Sequence, residues 1–428
     1  MSQPLRLGIA GLGTVGIGVL RIIRKHSALL EARTGRKIEI TALCARDRTK
    51  DRGISLDAYA WEENAVDLAK RDDVDVFVEL IGGEEGSAKD AVEAALEAGK
   101  DVVTANKALL AIHGQALAEH AENKGRALRY EAAVAGGIPV VKTLSEGLAG
   151  NEITRVMGVM NGSCNYILTR MEDAGLSYEA VFAEADALGY LEADPQLDVG
   201  GIDAAHKLAI LSSLAFGTKV DFAGITLEGI ERVSIDDINA ASDMGYKIKL
   251  LGVACMTGRG LEQRMQPCLV PVSSPLGQLQ GGTNMVVLEG DAVGQITLRG
   301  AGAGEGPTAS AVLSDICDIA RGVNGPVFGR SADSLVTSTP ASATLPASYY
   351  LRMSLEDKPG ALAKVAAVLG EAGVSIDRMR QYGHDEPAAP VLIVTHKTTP
   401  AAISQALEAM GSTGVLSGQP VALRIEDV

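Results

Sequence analysis

The chain has 428 residues, 22% of them charged, a formal net charge of −15 and only 4% aromatics. That length exceeds one ordinary core, so two or three packed domains are expected, and the composition excludes a disordered chain. The negative balance excludes wholesale nucleic-acid binding, so any phosphate site must be locally positive.

The start, Met1-Ser2-Gln3-Pro4, runs straight into an apolar segment without the basic and apolar regions of a leader. Leu5 to Ala10 reads as a buried strand, Ile17 to Ala32 as a helix, and Ile38 to Cys44 and Val74 to Leu80 as strands. Ser87 to Ala98 reads as a helix stopped by Gly99, and Asp101 to Thr104 as a fourth strand. A helix near Gly114 to Asn123 and a strand at Ala127 to Glu131 follow. Strands alternating with helices predict βαβ units and a doubly wound parallel sheet over residues 1–149.

From about Gly150 the pattern changes. Ile153 to Met160 reads as a strand, then Asn165 to Ala174, Ser177 to Leu188 and Ile202 to Phe216 as helices. Gly252 to Met256, Gln263 to Val270 and Asn284 to Glu289 read as strands, giving a separate α+β domain over 150–304. A helix from Thr308 to Arg321 is expected to pack back on the first domain, so that 305–334 completes it. Residues 335–348 hold Ser, Thr, Ala and two prolines without periodicity and read as a linker. Strands at Tyr349 to Leu355, Val374 to Tyr382, Val391 to Lys397 and Val421 to Ile425 then alternate with helices at Ala361 to Ala372 and Pro400 to Met410. The order βαββαβ predicts a ferredoxin-like domain over 349–428.

No run of about 18 apolar residues offers a membrane span. Cys44, Cys164, Cys255, Cys268 and Cys317 are scattered without a CxxC pair, which predicts free buried thiols in a reducing cytoplasm.

Gly11-Leu12-Gly13-Thr14-Val15-Gly16 is a GxGxxG between a predicted strand and a predicted helix. The first glycine permits the turn, the second lets backbone approach a pyrophosphate, and the third allows close helix packing, while the helix start offers amides to phosphate. After the second strand, Cys44-Ala45-Arg46-Asp47-Arg48-Thr49-Lys50 replaces the usual lone acid with three cations. That favours a 2′-phosphate and NADP, although Asp47 could still take a ribose hydroxyl of NAD.

The densest polar constellation runs from Gly189 to Lys207. Glu192, Asp194, Asp198 and Asp203 occur in a Gly/Pro-broken loop that leads into an apolar helix, where Asp203 and Lys207 share a face. Singly, each is an acidic cap or a surface ion pair. Together they suit a small polar substrate, with acids for an ammonium and a lysine to protonate a carbonyl oxygen.

At this point the sequence resembles the homoserine dehydrogenase family over essentially its whole length. The resemblance includes Val103-Thr104-Ala105-Asn106-Lys107, Tyr130 to Pro139, Asn161 to Leu168, the acidic loop, and Gly300 to Gly304 followed by Pro307 to Val312. It implies reversible NAD(P)H-dependent reduction of L-aspartate 4-semialdehyde to L-homoserine, in the biosynthesis of threonine, methionine and isoleucine. Carried over by position, it implies Lys207 as general acid/base, with Lys107 beside the nicotinamide and substrate. It implies Glu192, Asp198 and Asp203 as substrate-binding residues. Leu12, Thr14, Val15, Thr104 and Gly304 would line the cofactor. A monovalent cation, sodium in the family pattern, would sit near Glu131 on carbonyls of Val134, Gly136 and Ile138. The middle domain would also serve dimerisation, in a homodimer or homotetramer. Leu191, where the family has a small residue, and Cys164, where it has Thr, depart from the pattern. Two lysines in one site would depress each other's pKa, with the acids opposing.

Asp357-Lys358-Pro359-Gly360-Ala361-Leu362 resembles the turn of the ACT family, small paired domains that bind amino acids. The resemblance implies feedback inhibition by threonine, and a dimerisation module without a ligand is the alternative. Two other readings of the chain are a different NAD(P) oxidoreductase of small amino or hydroxy acids, and an inactive amino-acid sensor.

Overall fold

The computed structural model describes residues 3–192, 194–342, 344–381 and 388–428. Met1 and Ser2 at the start, and the Tyr382 end of one expected strand, lie outside the described residues.

The first part runs β1 (Leu5–Ala10), α1 (Thr14–Thr34), β2 (Ile38–Cys44), β3 (Ala60–Glu62), α2 (Ala65–Lys70), β4 (Val76–Glu79), α3 (Ser87–Glu97), β5 (Asp101–Thr104), α4 (Lys107–Asn123) and β6 (Leu128–Arg129). The strands form one parallel sheet in the order β3-β2-β1-β4-β5-β6, a doubly wound arrangement. Leu7, Ile9, Val76, Phe77 and Val78 are fully covered, so the central strands are buried on both faces and their apolar runs do not alternate.

Three expectations here are corrected. α4 begins at Lys107, not near Gly114, because Asn106 caps it, its Oδ1 accepting the Leu109 amide at 3.1 Å. Gly114 lies inside the helix under Phe328, whose ring is 3.0 Å from where a Cβ would sit, so the glycine marks close packing and no boundary. β6 is only two residues long, since the chain enters a 3-10 turn at Glu131–Ala133. β3 and α2, unanticipated, are too short to carry a periodicity signal.

The middle part continues with α5 (Val140–Lys142), β7 (Ile153–Val159), α6 (Gly162–Ala174), α7 (Tyr178–Ala187), α8 (Gln196–Val199), α9 (Ile202–Phe216), β8 (Thr226–Leu227), α10 (Ile235–Asp243), β9 (Tyr246–Thr257), β10 (Gly260–Pro271), β11 (Thr283–Gly290) and β12 (Gly294–Ala301). α9 is buried from Asp203 to Ala215, which is why its sequence is apolar nearly all round. β12 was not expected: it is an edge strand with every other residue exposed. α11 (Glu305–Ala320) returns to the first sheet and packs on α1, where a Cβ on Gly18 would lie 2.7 Å from the Glu305 carbonyl oxygen.

The last part is β13 (Ser348–Glu356), α12 (Ala361–Glu371), β14 (Ile376–Gln381), β15 (Ala388–Thr395), α13 (Pro400–Gly411) and β16 (Val421–Ile425). Its strands order as β16-β13-β15-β14, all antiparallel, the ferredoxin-like arrangement. β16 also pairs parallel with β10, so this sheet and the middle one form a single ten-stranded sheet. Of the expected linker, the described residues before β13 are held against the middle part. Leu335 is buried, Val336 bridges Thr218, and the Leu345 amide donates to Glu262. Among the described residues no helix is long and apolar enough to cross a membrane, and all five cysteines are free and buried.

Candidate active site

β1 runs into the glycine turn, and α1 begins at Thr14 with no side-chain cap, which leaves its first amides for an outside acceptor. Gly11 has φ 99°, and a Cβ there would lie 2.2 Å from the Leu80 carbonyl oxygen. A Cβ on Gly16 would lie 2.1 Å from the Gly11 carbonyl oxygen, so both positions require glycine.

Beside this turn is a cavity of about 740 Å³, lined by Leu12, Gly13, Arg46, Asp47, Lys50 and Arg52 among others. Arg48 turns away over the Trp61 ring at 5.7 Å, so two of the three cations read after β2 reach the cavity wall. Arg52, which sequence reasoning missed, joins them by donating to the carbonyls of Leu12 and Asp47 at 3.1 and 2.6 Å. The Asp47 carboxylate accepts from the Thr49 hydroxyl and amide and from the Lys50 amide, and these bonds hold it below its usual value. Thr14 and Thr104 are not among the residues lining this cavity or the next. The buried Thr104 hydroxyl instead donates to Glu79 and accepts from the Asn106 amide. Glu79, also missed, is fully buried and accepts the amides of Ile81 and Gly82, which shapes the turn after β4.

A second cavity, of about 580 Å³, lies between the two sheets, with Val15 and Gly304 on its cofactor side and Lys107, Asp198, Asp203 and Lys207 on the other. The Lys207 Nζ donates to Asp203 Oδ2 at 2.7 Å and to the Met160 carbonyl at 2.8 Å. The Lys107 Nζ is 3.0 Å from Asp203 Oδ1 and 3.5 Å from Glu192 Oε1. Burial alone would push the Asp203 carboxyl up, but the ammonium groups of Lys207 and Lys107 outweigh it and hold it far below the usual range. Burial likewise opposes the charged form of Lys107, yet Asp203 and Glu192 together hold that ammonium above its ordinary value. The expectation of a mutually depressed pair is thus corrected for Lys107, because the intervening carboxylate dominates.

Asn161 organises the acids. It caps α6 by accepting the Cys164 amide at 2.8 Å, and its Nδ2 donates to Asp198 Oδ1 at 2.8 Å and to Asp203 Oδ2 at 2.9 Å. Its position before a helix was a visible signal of a cap, but nothing in the sequence tied it to both acids. Asp198 also accepts the Glu192 amide at 2.9 Å, and burial raises its carboxyl. The Cys164 thiol donates to the Asp198 carbonyl at 3.2 Å, as a threonine hydroxyl could, and burial keeps it protonated. Leu191 lines the cavity and packs on the core. Ala193, within the same loop, lies outside the described residues.

Glu131 is buried, and its two oxygens accept the amides of Val141 and Lys142, both at 2.9 Å. Burial, then the neighbouring Asp315 carboxylate, push it up to about 7. The adjoining loop from Val134 to Ile138 reverses through Ala135 and Gly136 at φ 55° and 54°. In the last domain, α12 is preceded by Gly360, φ 87°, with no side-chain cap.

A family model described as homoserine dehydrogenase matches residues 139–317, and a second, described as its NAD binding domain, matches 11–131. An ACT domain model matches 349–414. A homoserine dehydrogenase of Neisseria gonorrhoeae is 42% identical, covering 100% of this chain and 99% of the relative. One of Bacillus subtilis is 38% identical, covering 99% of each. A crystal structure of a homoserine dehydrogenase from Thiobacillus denitrificans superposes with a TM-score of 0.93 at 37% identity, over 99% of both chains. A hyperthermophilic archaeal homoserine dehydrogenase in complex with NADPH has a TM-score of 0.66 at 25% identity, covering 76% of this chain and 100% of that one.

Proposed function

The chain belongs to the homoserine dehydrogenase family and is an NAD(P)-dependent oxidoreductase, and from that premise we propose how its own side chains carry the reaction. The reaction interconverts L-aspartate 4-semialdehyde and L-homoserine. The observation that carries the proposal is the single Asp203 carboxylate bracketed by the Lys107 and Lys207 ammonium groups at a cavity that adjoins the dinucleotide turn.

When bound, the nicotinamide supplies or takes the hydride. An ammonium has three donors, and two of those on Lys207 are used by Asp203 and Met160. The third is available to the reacting oxygen, so Lys207 stabilises the charge that develops there and passes it a proton. Lys107, kept charged by Asp203 and Glu192, adds to that field and orients the carbonyl. Glu192, Asp198 and Asp203 face the substrate's ammonium group. Lys207→Ala should lower turnover about 10²–10⁴-fold while NADPH binding, read by fluorescence titration, survives. Near-normal turnover would remove Lys207 from this role.

The residues around the glycine turn fit a phosphorylated nucleotide: two required glycines, an uncapped helix start and a cationic wall. NADP is the proposed preference over NAD. Arg46 and Lys50 are cations at that wall, Asp47 is engaged by its own loop, and the archaeal relative is described in complex with NADPH. Leu12, Val15 and Gly304 are proposed to line the cofactor, with Thr104 acting at a remove through Glu79. For a monovalent cation, proposed as sodium, the tight reversal at Ala135 and Gly136 offers carbonyl oxygens of Val134, Gly136 and Ile138 near a buried Glu131. That hard oxygen set suits an alkali ion.

The partition into 1–149 with 305–334, 150–304, 335–348 and 349–428 is kept as part of the proposal. So are a homodimer or homotetramer, a cytoplasmic location and threonine as the effector of the ACT domain. The uncapped α12 start after Gly360 supports the last by leaving amides for a carboxylate. Steady-state assay with and without threonine tests it.

A further inference from the structure

We propose that Asn284 is a substrate-recognition residue whose carboxamide binds the α-amino-acid end of the reactant, an inference that rests on the reaction assigned above. Asn284 lies on β11 and is 1% exposed, yet it lines the same cavity as Asp198, Asp203 and Lys207. Its side-chain oxygen is buried without a hydrogen-bond partner, and no side-chain bond among the described residues engages its nitrogen. Buried amides are nearly always paired, so an unmet one at a cavity wall marks a place that a ligand completes.

Gly302, on the same wall, makes room for it. A Cβ there would lie 2.1 Å from Asn284 Nδ2 and 2.5 Å from Oδ1, so any side chain would displace the carboxamide.

The charges nearby are already committed. Lys207 holds Asp203 and the Met160 carbonyl, and Lys107 holds Asp203 and Glu192. The acids suit an ammonium, but an α-carboxylate needs a donor that leaves the two lysines to the reacting oxygen. A neutral amide meets both needs: Nδ2 donates to the carboxylate and Oδ1 accepts from the ammonium. It adds no charge to perturb the lysines.

The test uses the full chain with NADP, the wild type beside Asn284→Leu and Asn284→Asp. Leucine keeps the volume and removes both polar ends; aspartate keeps the shape and opposes the carboxylate. Homoserine is compared with 3-aminopropan-1-ol, the same alcohol without the carboxylate. Both variants should raise the KM for homoserine about 10- to 100-fold and shrink its advantage over the decarboxylated alcohol by a similar factor. The KM for NADP should stay within about twofold. Calorimetric binding of homoserine to the NADP complex gives the same comparison without turnover, and thermal unfolding confirms that each variant is folded. A raised KM for NADP with homoserine unaffected would assign the amide to the cofactor and overturn the proposal, as would no change in either. A wild type that binds homoserine but does not oxidise it would count against the reaction, while the binding comparison still decides Asn284.

Discussion

The Lys107 ammonium at the start of α4 lies 3.0 Å from the Asp203 carboxylate on α9, so one ion pair joins the helix layer of the first sheet to that of the second. The pair sets the charge state of the site. Burial disfavours the Lys107 ammonium, and Asp203, then Glu192, more than restore it.

A base held above its ordinary pKa keeps its proton to higher pH. Asp203→Asn removes the larger carboxylate contribution, so Lys107 should lose its proton at lower pH than in the wild type. The alkaline limb of kcat/KM should therefore move downward in pH, with turnover falling about 10²-fold or more. Glu192→Gln, which does not touch Lys207, should shift the limb in the same direction by less. An alkaline limb that stays in place in both variants would show that Lys107 does not govern it.

Cofactor choice can be read from the wall beside the glycine turn. Arg46 and Lys50 reach that wall, whereas Arg48 is stacked on Trp61. Replacing Arg46 and Lys50 together by Ala should raise the KM for NADPH about tenfold or more and leave that for NADH nearly unchanged. The Arg48→Ala variant should change neither ratio. Equal loss for the two nicotinamides in the double variant would point to a general field and not a 2′-phosphate contact.

The seam between the middle and last sheets should be sensitive for a different reason. Arg264 is paired there with Glu262 and with Glu426 at 2.5 Å, and the three side chains are at most 6% exposed. Arg264→Met leaves Glu262 buried without its paired cation, whereas Glu426 keeps Arg424 at 2.6 Å and Arg155 at 2.8 Å, and should destabilise the chain by about 3–5 kcal/mol in urea unfolding. Adding Glu262→Gln should recover much of that loss, because the penalty lies in the one uncompensated charge. Failure of the double variant to recover would locate the effect in packing.

The sequence carried the fold well where periodicity is long. The doubly wound sheet, α9 from Ile202 to Phe216 and the βαββαβ order of the last part were all legible, since each is a run of strong pattern between glycines and prolines. What escaped was set by tertiary contact. α4 starts at Lys107 through a cap on Asn106, and Gly114 within it is a packing residue. The acids and lysines of the site were legible as a dense motif, but the Asn161 fork between Asp198 and Asp203 joins residues 37 and 42 positions apart. Glu79, Arg52 and Asn284 gave no local signal, because their roles depend on which loop or strand lies beside them.

Lys249 offers a stability test whose sign is fixed by linkage. Its Nζ donates to the Asn165 side chain at 2.9 Å and to the Leu279 carbonyl, both neutral, and burial pushes it down to about 8. The unfolded chain holds the same proton to about pH 10.4, so between the two values the unfolded state binds more protons and stability rises with pH. Below the folded value the interior carries the charged amine at its full penalty. Lys249→Met abolishes the titration along with the two hydrogen bonds. From about pH 7 to about pH 10 the wild type should therefore gain stability relative to the variant, by on the order of 1–3 kcal/mol. Urea unfolding of both proteins at the two pH values measures the difference directly. A wild type that instead loses ground to the variant on the alkaline side would mean that the ammonium is favoured inside, and that its neutral partners solvate it better than water does.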